Sequence, residues 1–389
     1  MPQVSLTPIN SGIDDERKPD PGYTIAAYVW PAYHDEPRWR PFFTGTEGEW
    51  EIIRNASRKG DPDLEINTPL WGYESDSDPL AMAKRIDAAV SHGVNTFIFD
   101  WYWYDNAPFL EDCLNKGFLQ AENCSKMNFY LMWANHNAST LWDLRRSHNP
   151  SEVIWPGGAD RKTFDTVVDR VIEKYMTRPS YLKIDGCPAF MVYELGTLID
   201  GLGGLQETRA ALDSFREKVK AAGFPGLHLQ TVIWNLLASP SGVPGDDQPT
   251  AAETLDYVGI DSLTSYQWVH TQGPPDTYEE WGKKAVARWK TWTAEFSIPY
   301  YPHVSIGWNT NPRFAAKLPI ITERSPELFG EFLKQAKDFT DRHGLRPRLI
   351  TVNSWNEWSE GSCLEPDERF GMGYLEAVRS VFAGSLPRT

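Results

Sequence analysis

Two glutamates near the end of the chain have a spacing that suits acid–base chemistry. Glu357 and Glu360 stand three positions apart in the segment Trp355-Asn-Glu-Trp-Ser-Glu360. One carboxyl of such a pair can protonate a leaving oxygen, while the other supports a developing positive charge or activates a nucleophile. The flanking Trp355 and Trp358 could desolvate one carboxyl and raise its pKa, as a general acid near neutral pH requires. The alternative is a capping or surface pair of glutamates.

Eight short apolar runs are candidates for the strands that position this pair. They alternate with stretches of helical periodicity, and their β-branched and aromatic composition is typical of parallel strands covered on both faces. The predicted strands are residues 24–29, 94–99, 128–133, 189–193, 227–233, 257–261, 301–305 and 348–352.

Capping signals indicate where several helices begin and end. Asp78-Pro79 and Ser325-Pro326 each combine an N-cap residue with proline at the first helical position. Gly93 and Gly223 stand just past predicted helix ends, where a left-handed conformation favours glycine. The last helix is predicted at residues 373–382.

Eight strands with helical crossovers allow a closed barrel or an open doubly wound sheet. An open sheet usually has a Gly-rich phosphate-binding turn after its first strand. Here that strand runs into the glycine-free segment Tyr28-Val-Trp-Pro-Ala-Tyr-His34. We therefore predict an α/β fold, a single (β/α)8 TIM barrel over residues 23–385 with long βα loops that form the active-site cleft. A polar extension, residues 1–22, precedes it, and residues 31–77 form a long first loop over the barrel mouth.

Aromatic and polar side chains collect after the predicted strands, where the active site of such a barrel lies. Rings can stack on the apolar C–H faces of a sugar, while amides and carboxylates bind its hydroxyls. For any single residue, ordinary strand-end packing is the alternative, and Asp100 and Glu194 could equally pair with Arg313 as scaffold. The predicted substrate-binding residues are Tyr28, Asp100, Trp101, Tyr102, Trp133, Asn135, Tyr193, Glu194, Trp234, Tyr266, Trp308, Arg313, Trp355, Asn356 and Trp358.

The composition excludes several classes of partner. A net charge of −15 argues against nucleic acid and against anionic membrane surfaces, both of which attract clusters of Lys and Arg. No apolar run approaches the roughly 20 residues needed to span a bilayer, so we expect no membrane insertion. The 17 Trp, 16 Tyr and 18 Phe are instead enough to supply both a core and a ring-lined cleft.

Signatures of metals and cofactors are missing from the sequence. His34, His136 and His303 lie near predicted strand ends, but neither His-x-His nor His-Glu-x-x-His occurs. A Gly-x-Ser-x-Gly elbow and a Walker loop are also missing. We therefore predict no metal and no cofactor.

The cysteines and the N-terminal segment give weaker information. The cysteines lack CxxC spacing and are expected to be bystander thiols, although spacing alone leaves a bridge between the first two open. They are Cys113, Cys124, Cys187 and Cys363. Residues 1–22 lack the apolar core of a signal peptide. Because an already removed leader would leave the same sequence, no cellular location is predicted.

The segment from Asn353 to Asp367, followed by Tyr374-Leu-Glu-Ala, resembles the signature of the WbsX-like proteins. These are a branch related to glycoside hydrolase family 99, which holds the endo-α-mannosidases and endo-α-mannanases. The resemblance spans roughly residues 24–385 and includes further segments in the same order. They are Tyr28, Gly93-Val-Asn-Thr-Phe-Ile-Phe-Asp-Trp-Tyr-Trp103, Trp133-Ala-Asn135, Tyr181-Leu-Lys-Ile-Asp-Gly-Cys-Pro188, Ser265-Tyr266 and Gly307-Trp-Asn-Thr-Asn-Pro-Arg313.

The resemblance implies a (β/α)8 barrel and retaining cleavage of α-mannosidic or similar bonds. It implies that Glu357 deprotonates the sugar's own 2-hydroxyl, which then attacks the anomeric carbon to give an epoxide-like intermediate. Glu360 would be the general acid/base. The characterised hydrolases usually read Tyr-Asn-Glu-Trp-His-Glu, whereas this chain has Trp355 and Ser359 at the variable positions.

Three functions are compatible with this sequence. The chain could be a retaining glycoside hydrolase, a glycosyltransferase of polysaccharide biosynthesis, or a non-catalytic carbohydrate-binding barrel. In each case the expected partner is an oligo- or polysaccharide. No oligomeric state is predicted.

Overall fold

The computed structural model describes residues 22–382 except 41, 44, 59–64, 143–151, 237–248, 275 and 315–316. Of the predicted N-terminal extension only Gly22 falls within these ranges, and the predicted domain end at residue 385 falls outside them. Eight parallel strands form the centre of the fold. These strands, β1–β8 in chain order, are Tyr23–Val29, Thr96–Tyr104, Asn128–Trp133, Cys187–Val192, His228–Val232, Ser262–Thr264, His303–Ser305 and Arg348–Asn353.

The eight strands form a ring in the order β6-β5-β4-β3-β2-β1-β8-β7. The first and last strands pair in parallel, with Ile25 opposite Ile350. Between β6 and β7 the ring is joined by a parallel bridge from Leu263 to Tyr300. The backbone N–H of Tyr301 donates to the carbonyl of Leu263 at 2.8 Å. The predicted (β/α)8 barrel is therefore confirmed.

Helices follow the strands and bury one face each against the barrel or its loops. The α-helices of the described residues, α1–α10 in chain order, are Trp50–Arg58, Pro79–Ser91, Arg161–Val171, Leu195–Leu202, Leu205–Ala221, Ala251–Val258, Tyr278–Glu295, Asn311–Phe314, Pro326–Arg342 and Gly373–Phe382.

Short elements decorate the loops. One-turn 3-10 helices are Pro37–Trp39, Phe118–Gln120, Cys124–Lys126, Thr140–Trp142, Trp268–His270 and Trp358–Glu360, and π-helical turns are Cys113–Gly117 and Ile172–Met176. Antiparallel additions to the barrel are Ala107–Phe109 on β2 and Lys183–Ile184 on β4. Separate strand pairs are Ala138–Ser139 with Val153–Trp155, Asp276–Thr277 with Ile321–Thr322, and Asn356–Glu357 with Ser362–Cys363.

The capping signals read from the sequence are confirmed. The side chain of Asp78 accepts a hydrogen bond from the backbone of Leu80 at the start of α2, and Ser325 caps α9 in the same way. Gly93 and Gly223 adopt φ values of 96° and 97°. Helix α10 has the predicted bounds. Local side-chain chemistry therefore decides these ends.

The predicted strand at residues 257–261 is wrong. Helix α6 continues through Val258, and β6 begins later, at Ser262. Thr250 and Glu253 form a reciprocal capping box that starts this helix, and Gly259 ends it at φ 77°. A short apolar run is compatible with either a helix or a strand, and here the two caps determine a helix.

The first loop folds back onto the barrel mouth. It contains α1, and the backbone N–H of Glu49 donates to the carbonyl of Ala32 at 2.8 Å. Gly48, at φ 60°, lies so close that an added Cβ would stand 2.1 Å from that carbonyl oxygen. Only glycine can combine this backbone conformation with this contact, so the loop has a defined path next to β1.

The barrel interior contains a hydrogen-bonded polar layer. His303 is fully buried, and its two ring nitrogens lie 2.9 Å from the hydroxyl of Thr351 and 3.0 Å from that of Ser305. Burial lowers the pKa of His303 well below its usual range. This histidine therefore belongs to the core and stays neutral.

The described residues also settle two smaller points. All four cysteines are free thiols, so the bridge left open by the spacing of the first two is not formed. None of the helices within the described ranges is both long and apolar enough to cross a membrane.

Helix packing depends on a missing side chain at Gly282. A Cβ at this position of α7 would stand 2.2 Å from the buried Phe332 ring of α9. We expect Gly282→Ala to lower the free energy of unfolding by about 2 kcal/mol, as overpacked cores do. Urea unfolding measures this change in the free energy of unfolding.

The matched control is Gly330→Ala in α9, where the nearest atom to the added Cβ lies at 3.6 Å. This variant should be neutral or more stable by up to about 1 kcal/mol. Equal effects of the two variants would contradict this packing argument.

Candidate active site

A cavity of about 470 Å³ opens at the carboxyl ends of the barrel strands. Its wall contains both glutamates that the sequence singled out, together with seven of the predicted binding residues. The predicted residues at the wall are Asp100, Tyr102, Tyr193, Glu194, Trp234, Tyr266, Arg313, Glu357 and Glu360. Residues from the ends of distant strands therefore converge on one space.

Other wall residues were not among the predicted binding residues. They are Trp30, Met132, Ala134, His136, Asn137, Ser139, Trp142 and Val153. Trp30 and His136 follow β1 and β3, so the same strand-end rule could have found them. Trp142 and Val153 lie in the loop after β3, whose path no periodicity in the sequence predicts.

Two predicted tryptophans face away from the cavity because side chains alternate along a strand. On β2, Asp100 and Tyr102 reach the cavity wall, whereas Trp101 is buried outside it. Trp133 of β3 is likewise buried, and it packs on Phe164 of α3 with ring centroids 6.2 Å apart. These two rings belong to the layer between strands and helices.

Two predicted amides hold the backbone near the cavity. Asn135 donates to the carbonyl of Glu194 at 2.8 Å and accepts from its N–H at 2.9 Å. Asn356 makes the same pair of bonds to the backbone of Trp30, at 2.9 and 2.8 Å. Tyr28 is fully buried and is not part of the wall. The amides therefore fix the ends of neighbouring strands.

The tryptophans beside the two glutamates, Trp355 and Trp358, are buried behind the segment of residues 355–360. Trp355 is buried against Phe97, with centroids 5.2 Å apart. Trp358 is fully buried, and its indole N–H donates to Glu365 at 3.2 Å. Trp308 is partly buried and lies outside the cavity wall. The two tryptophans beside the glutamates thus support the segment without facing the cavity.

A tight hairpin presents the two glutamates. Glu357 lies on its first strand, paired with Ser362, and Glu360 lies on the 3-10 turn that joins the strands. Ser354 accepts a hydrogen bond from the backbone N–H of Glu357 at 2.7 Å. Gly361 closes the turn at φ 66°, where an added Cβ would stand 2.9 Å from the Cβ of Asn309. Both carboxyls therefore reach the cavity from a constrained backbone.

Glu357 shares a tyrosine hydroxyl with Asp100. The hydroxyl of Tyr266 lies 2.7 Å from Oε1 of Glu357 and 2.8 Å from Oδ2 of Asp100. Burial raises the pKa of Asp100 well above its usual range; burial and the neighbouring Glu360 do the same for Glu357. One hydroxyl has one proton to donate, so both contacts are hydrogen bonds only when one of the carboxyls is protonated.

Glu360 pairs with the guanidinium of Arg313. One terminal nitrogen of Arg313 donates to Oε1 of Glu360 at 2.9 Å. The other donates to the hydroxyl of Ser359 at 2.7 Å and lies 3.3 Å from Glu49. Burial raises the pKa of Glu360 even though Arg313 opposes the rise. The ion pair therefore does not fix Glu360 in its ionised form.

Aromatic rings also line the cavity and give part of its wall an apolar surface. The Trp234 ring is 38 % exposed and stacks on His270 with centroids 4.4 Å apart. Burial lowers the pKa of His270 to about 3, so this ring pair is uncharged. The indole N–H of Trp234 donates to Glu194 at 3.3 Å. An exposed ring beside a carboxylate suits the apolar face and hydroxyl edge of a sugar.

The described residues contain no group of three or more His, Cys, Asp or Glu side chains arranged to hold a metal ion.

The family becomes clear from comparison with known sequences. A model of the family described as glycosyltransferase WbsX matches residues 25–378. The chain belongs to this WbsX family. Uncharacterized protein WxcX from Xanthomonas campestris pv. campestris is 26 % identical over 371 residues, which cover 92 % of this chain and 49 % of that protein. This WbsX chain therefore spans about half the length of the curated relative.

Solved structures resemble the WbsX chain in fold. A glycoside hydrolase-like protein has a TM-score of 0.59 at 15 % identity, and the match covers 98 % of this chain and 97 % of that one. The endo-α-mannosidase of glycoside hydrolase family 99 from Bacteroides thetaiotaomicron has a TM-score of 0.55 at 13 % identity, with coverages of 92 % and 95 %. At such identities the likeness supports the barrel fold alone.

The buried carboxyl of Asp100 should cost stability as the pH rises. Its folded pKa is raised by burial, so its contribution is complete below the unfolded pKa and is lost as the pH rises through the folded pKa. Asp100→Asn keeps the shape and removes this loss. We expect the variant to be more stable than the wild type at about pH 8, with the difference shrinking toward about pH 4.

Urea unfolding across that pH range measures the difference. Asp105→Asn, an exposed site on the same segment, is the matched control and should not show the pH-dependent gain. A stability difference between Asp100→Asn and wild type that stays constant with pH would contradict the burial argument.

Proposed function

We propose that this chain cleaves glycosidic bonds of an α-mannoside-like oligo- or polysaccharide with retention of configuration, using Glu360 as general acid/base and Glu357 as the base that acts on the sugar's 2-hydroxyl. The observation that carries the proposal is that the two carboxyls lie at one cavity but have different hydrogen-bond partners. Glu360 is paired with Arg313 and Glu357 with Tyr266. Two acids that share one cavity but have different partners can divide an acid role and a base role.

The reaction balances in two steps. In the first, Glu360 gives its proton to the glycosidic oxygen as the bond to the anomeric carbon breaks. Glu357 takes the proton of the 2-hydroxyl, whose oxygen attacks the anomeric carbon and closes a 1,2-anhydro ring. In the second, water attacks the anomeric carbon and gives its proton to Glu360, while Glu357 returns its proton to the 2-oxygen. Two inversions give overall retention.

Raised pKa values suit both roles. A carboxyl whose pKa is raised by burial keeps a proton to donate at higher pH, which a general acid needs. The same rise makes the ionised form a stronger base, which helps Glu357 to accept a proton from a weakly acidic hydroxyl. Because the two carboxyls repel each other when both are charged, the pair favours the state with one proton.

The wall of the cavity is compatible with a neutral sugar. The described wall residues contribute one guanidinium, that of Arg313, and four carboxyl groups. These carboxyl groups belong to Asp100, Glu194, Glu357 and Glu360. That guanidinium is already engaged by carboxylates. Exposed Trp234 offers a stacking surface of the kind that sugar rings use.

Glycosyl transfer is the second candidate, because the family is described as a glycosyltransferase. In this reading an acceptor sugar hydroxyl replaces water in the second step, and the same two carboxyls serve. A nucleotide-diphosphate donor would instead need cationic partners for its phosphates, and the described wall offers only the engaged Arg313.

Replacing the general acid tests the main proposal. Glu360→Gln should lower turnover of α-mannan fragments by about a thousandfold, since a positioned acid contributes 10²- to 10⁴-fold, while urea unfolding stays cooperative. On an aryl α-mannoside with a nitrophenolate leaving group, which needs no proton, the variant should recover most of the first step. Glu357→Gln should not recover the first step on this substrate.

Glu368→Gln, an exposed position in the same segment, is the control and should keep wild-type turnover. A fully active Glu360→Gln enzyme would overturn the assignment.

Product analysis separates hydrolysis from transfer. In ¹⁸O-labelled water with excess mannose oligosaccharide, hydrolysis should put one label on the new reducing end. Transfer would instead give longer, unlabelled products by mass spectrometry. Calorimetry with a nucleotide-diphosphate sugar should show no binding. Binding, together with elongation from that donor, would replace the proposed function by the transferase.

A further inference from the structure

Glu49 is a buried carboxylate that the sequence motifs did not single out. It lies in the first loop, directly before α1, and its side chain is fully inaccessible to solvent. Four groups donate to it or pair with it: the indole N–H of Trp30, the hydroxyls of Tyr33 and Ser359, and the guanidinium of Arg313. A carboxyl that receives four donors and donates to none is in the arrangement of an ionised carboxylate.

Three of these four contacts connect Glu49 to the segment that contains Glu357 and Glu360. The hydroxyl of Ser359, between the two motif glutamates, donates to Oε1 of Glu49 at 3.0 Å. Arg313 reaches Glu49 with one terminal nitrogen and Glu360 with the other. Tyr33 accepts from the backbone N–H of Trp358 at 3.1 Å. Glu49 is therefore connected to Glu360 indirectly, through Arg313 and Ser359.

We propose that Glu49 is a positioning residue that divides the charge and the hydrogen bonds of Arg313 between itself and Glu360, and thereby holds Glu360 in place while leaving it able to carry a proton. This inference rests on the proposed function, because it assigns to Glu360 a proton that must be donated.

The physical reason is a competition for one cation. If Arg313 paired with Glu360 alone, the full attraction of the guanidinium would favour the ionised carboxylate, which cannot act as an acid. A second carboxylate on the same guanidinium offsets that attraction. In agreement, burial raises the pKa of Glu360, Arg313 opposes the rise, and Glu49 adds to it. Glu49 also contributes to the raised pKa of Glu357.

Other titratable groups surround the pair and act in both directions. Those that face Glu360 or Glu49 from the packed elements are Arg313, Glu357, Asp100, Tyr33, Tyr193 and Tyr266. A substitution at residue 49 leaves all of these residues in place, but it also removes a charge that raises the pKa of Glu357, so the titration of Glu360 has to be followed at that carboxyl itself.

The direct test is a titration that needs no substrate. Carboxyl-labelled glutamate allows the Glu360 resonance to be followed by ¹³C NMR and assigned by its loss in Glu360→Gln. In Glu49→Gln, which removes the charge but keeps the shape, the Glu360 carboxyl should titrate lower by about one pH unit, the size expected for one nearby charge. If the enzyme turns over a substrate, both limbs of its bell-shaped pH profile should move to lower pH, because the pKa of each catalytic carboxyl falls.

A matched control separates this role from a structural one. Glu365 is also a buried carboxylate and is bonded to Trp358 of the same segment, but its cationic partner is Arg85, at 2.6 Å, and not Arg313. Glu365→Gln should destabilise the fold and leave the Glu360 titration where wild type has it. An unchanged titration in Glu49→Gln, or an equal shift in Glu365→Gln, would overturn the proposal.

Two further variants decide the matter should Glu49→Gln fail to fold. Ser359→Ala and Glu49→Asp keep both charges but loosen the bridge, so each should lower kcat several-fold at unchanged KM and unchanged pH limbs. Wild-type kcat in both would refute the positioning role. If instead Glu360→Gln proves active, the proposed function fails while the titration result still stands, so the two failures are distinguishable.

Discussion

One buried guanidinium offsets a surplus of carboxyl groups at the mouth of this barrel. Arg313 lies between Glu49 and Glu360, and Asp100 and Glu357, joined by Tyr266, lie at the same cavity. Burying more carboxyls than cations is costly unless protons make up the difference. The site must therefore retain protons that ordinary carboxyls would release, and this retention is what acid–base chemistry uses.

The rest of the fold holds this arrangement at short distances. Asn356 joins the segment of residues 355–360 to the end of β1 through hydrogen bonds to both backbone groups of Trp30. Trp355 and Trp358 fill the space behind the segment. A polar cluster that is unfavourable by itself is thus held by apolar packing that is not part of the chemistry. Such a division is common where function requires a destabilised site.

Sequence patterns predicted the barrel and the two motif glutamates, because both depend on local information. Strand composition, caps and the rule that active sites follow strand ends were sufficient for Asp100, Tyr266 and Glu357. The orientation of individual side chains was not predicted correctly. Trp101 on β2 and Trp358 beside the glutamates are both buried away from the cavity. Glu49 could not be found, since its partners are brought to it by the fold and no motif surrounds it. The error at residues 257–261 had a different cause, because the caps at Thr250 and Gly259 are local signals that outweigh a strand-like run.

The contact between Ser359 and Glu49 joins residues 310 positions apart. One belongs to the loop after the first strand and the other to the loop after the last, and these two strands are neighbours in the ring. A ribosome must therefore release nearly the whole barrel before the carboxyl cluster can assemble. Until then the acidic side chains remain hydrated, and the burial that raises the pKa values of Asp100, Glu357 and Glu360 is absent.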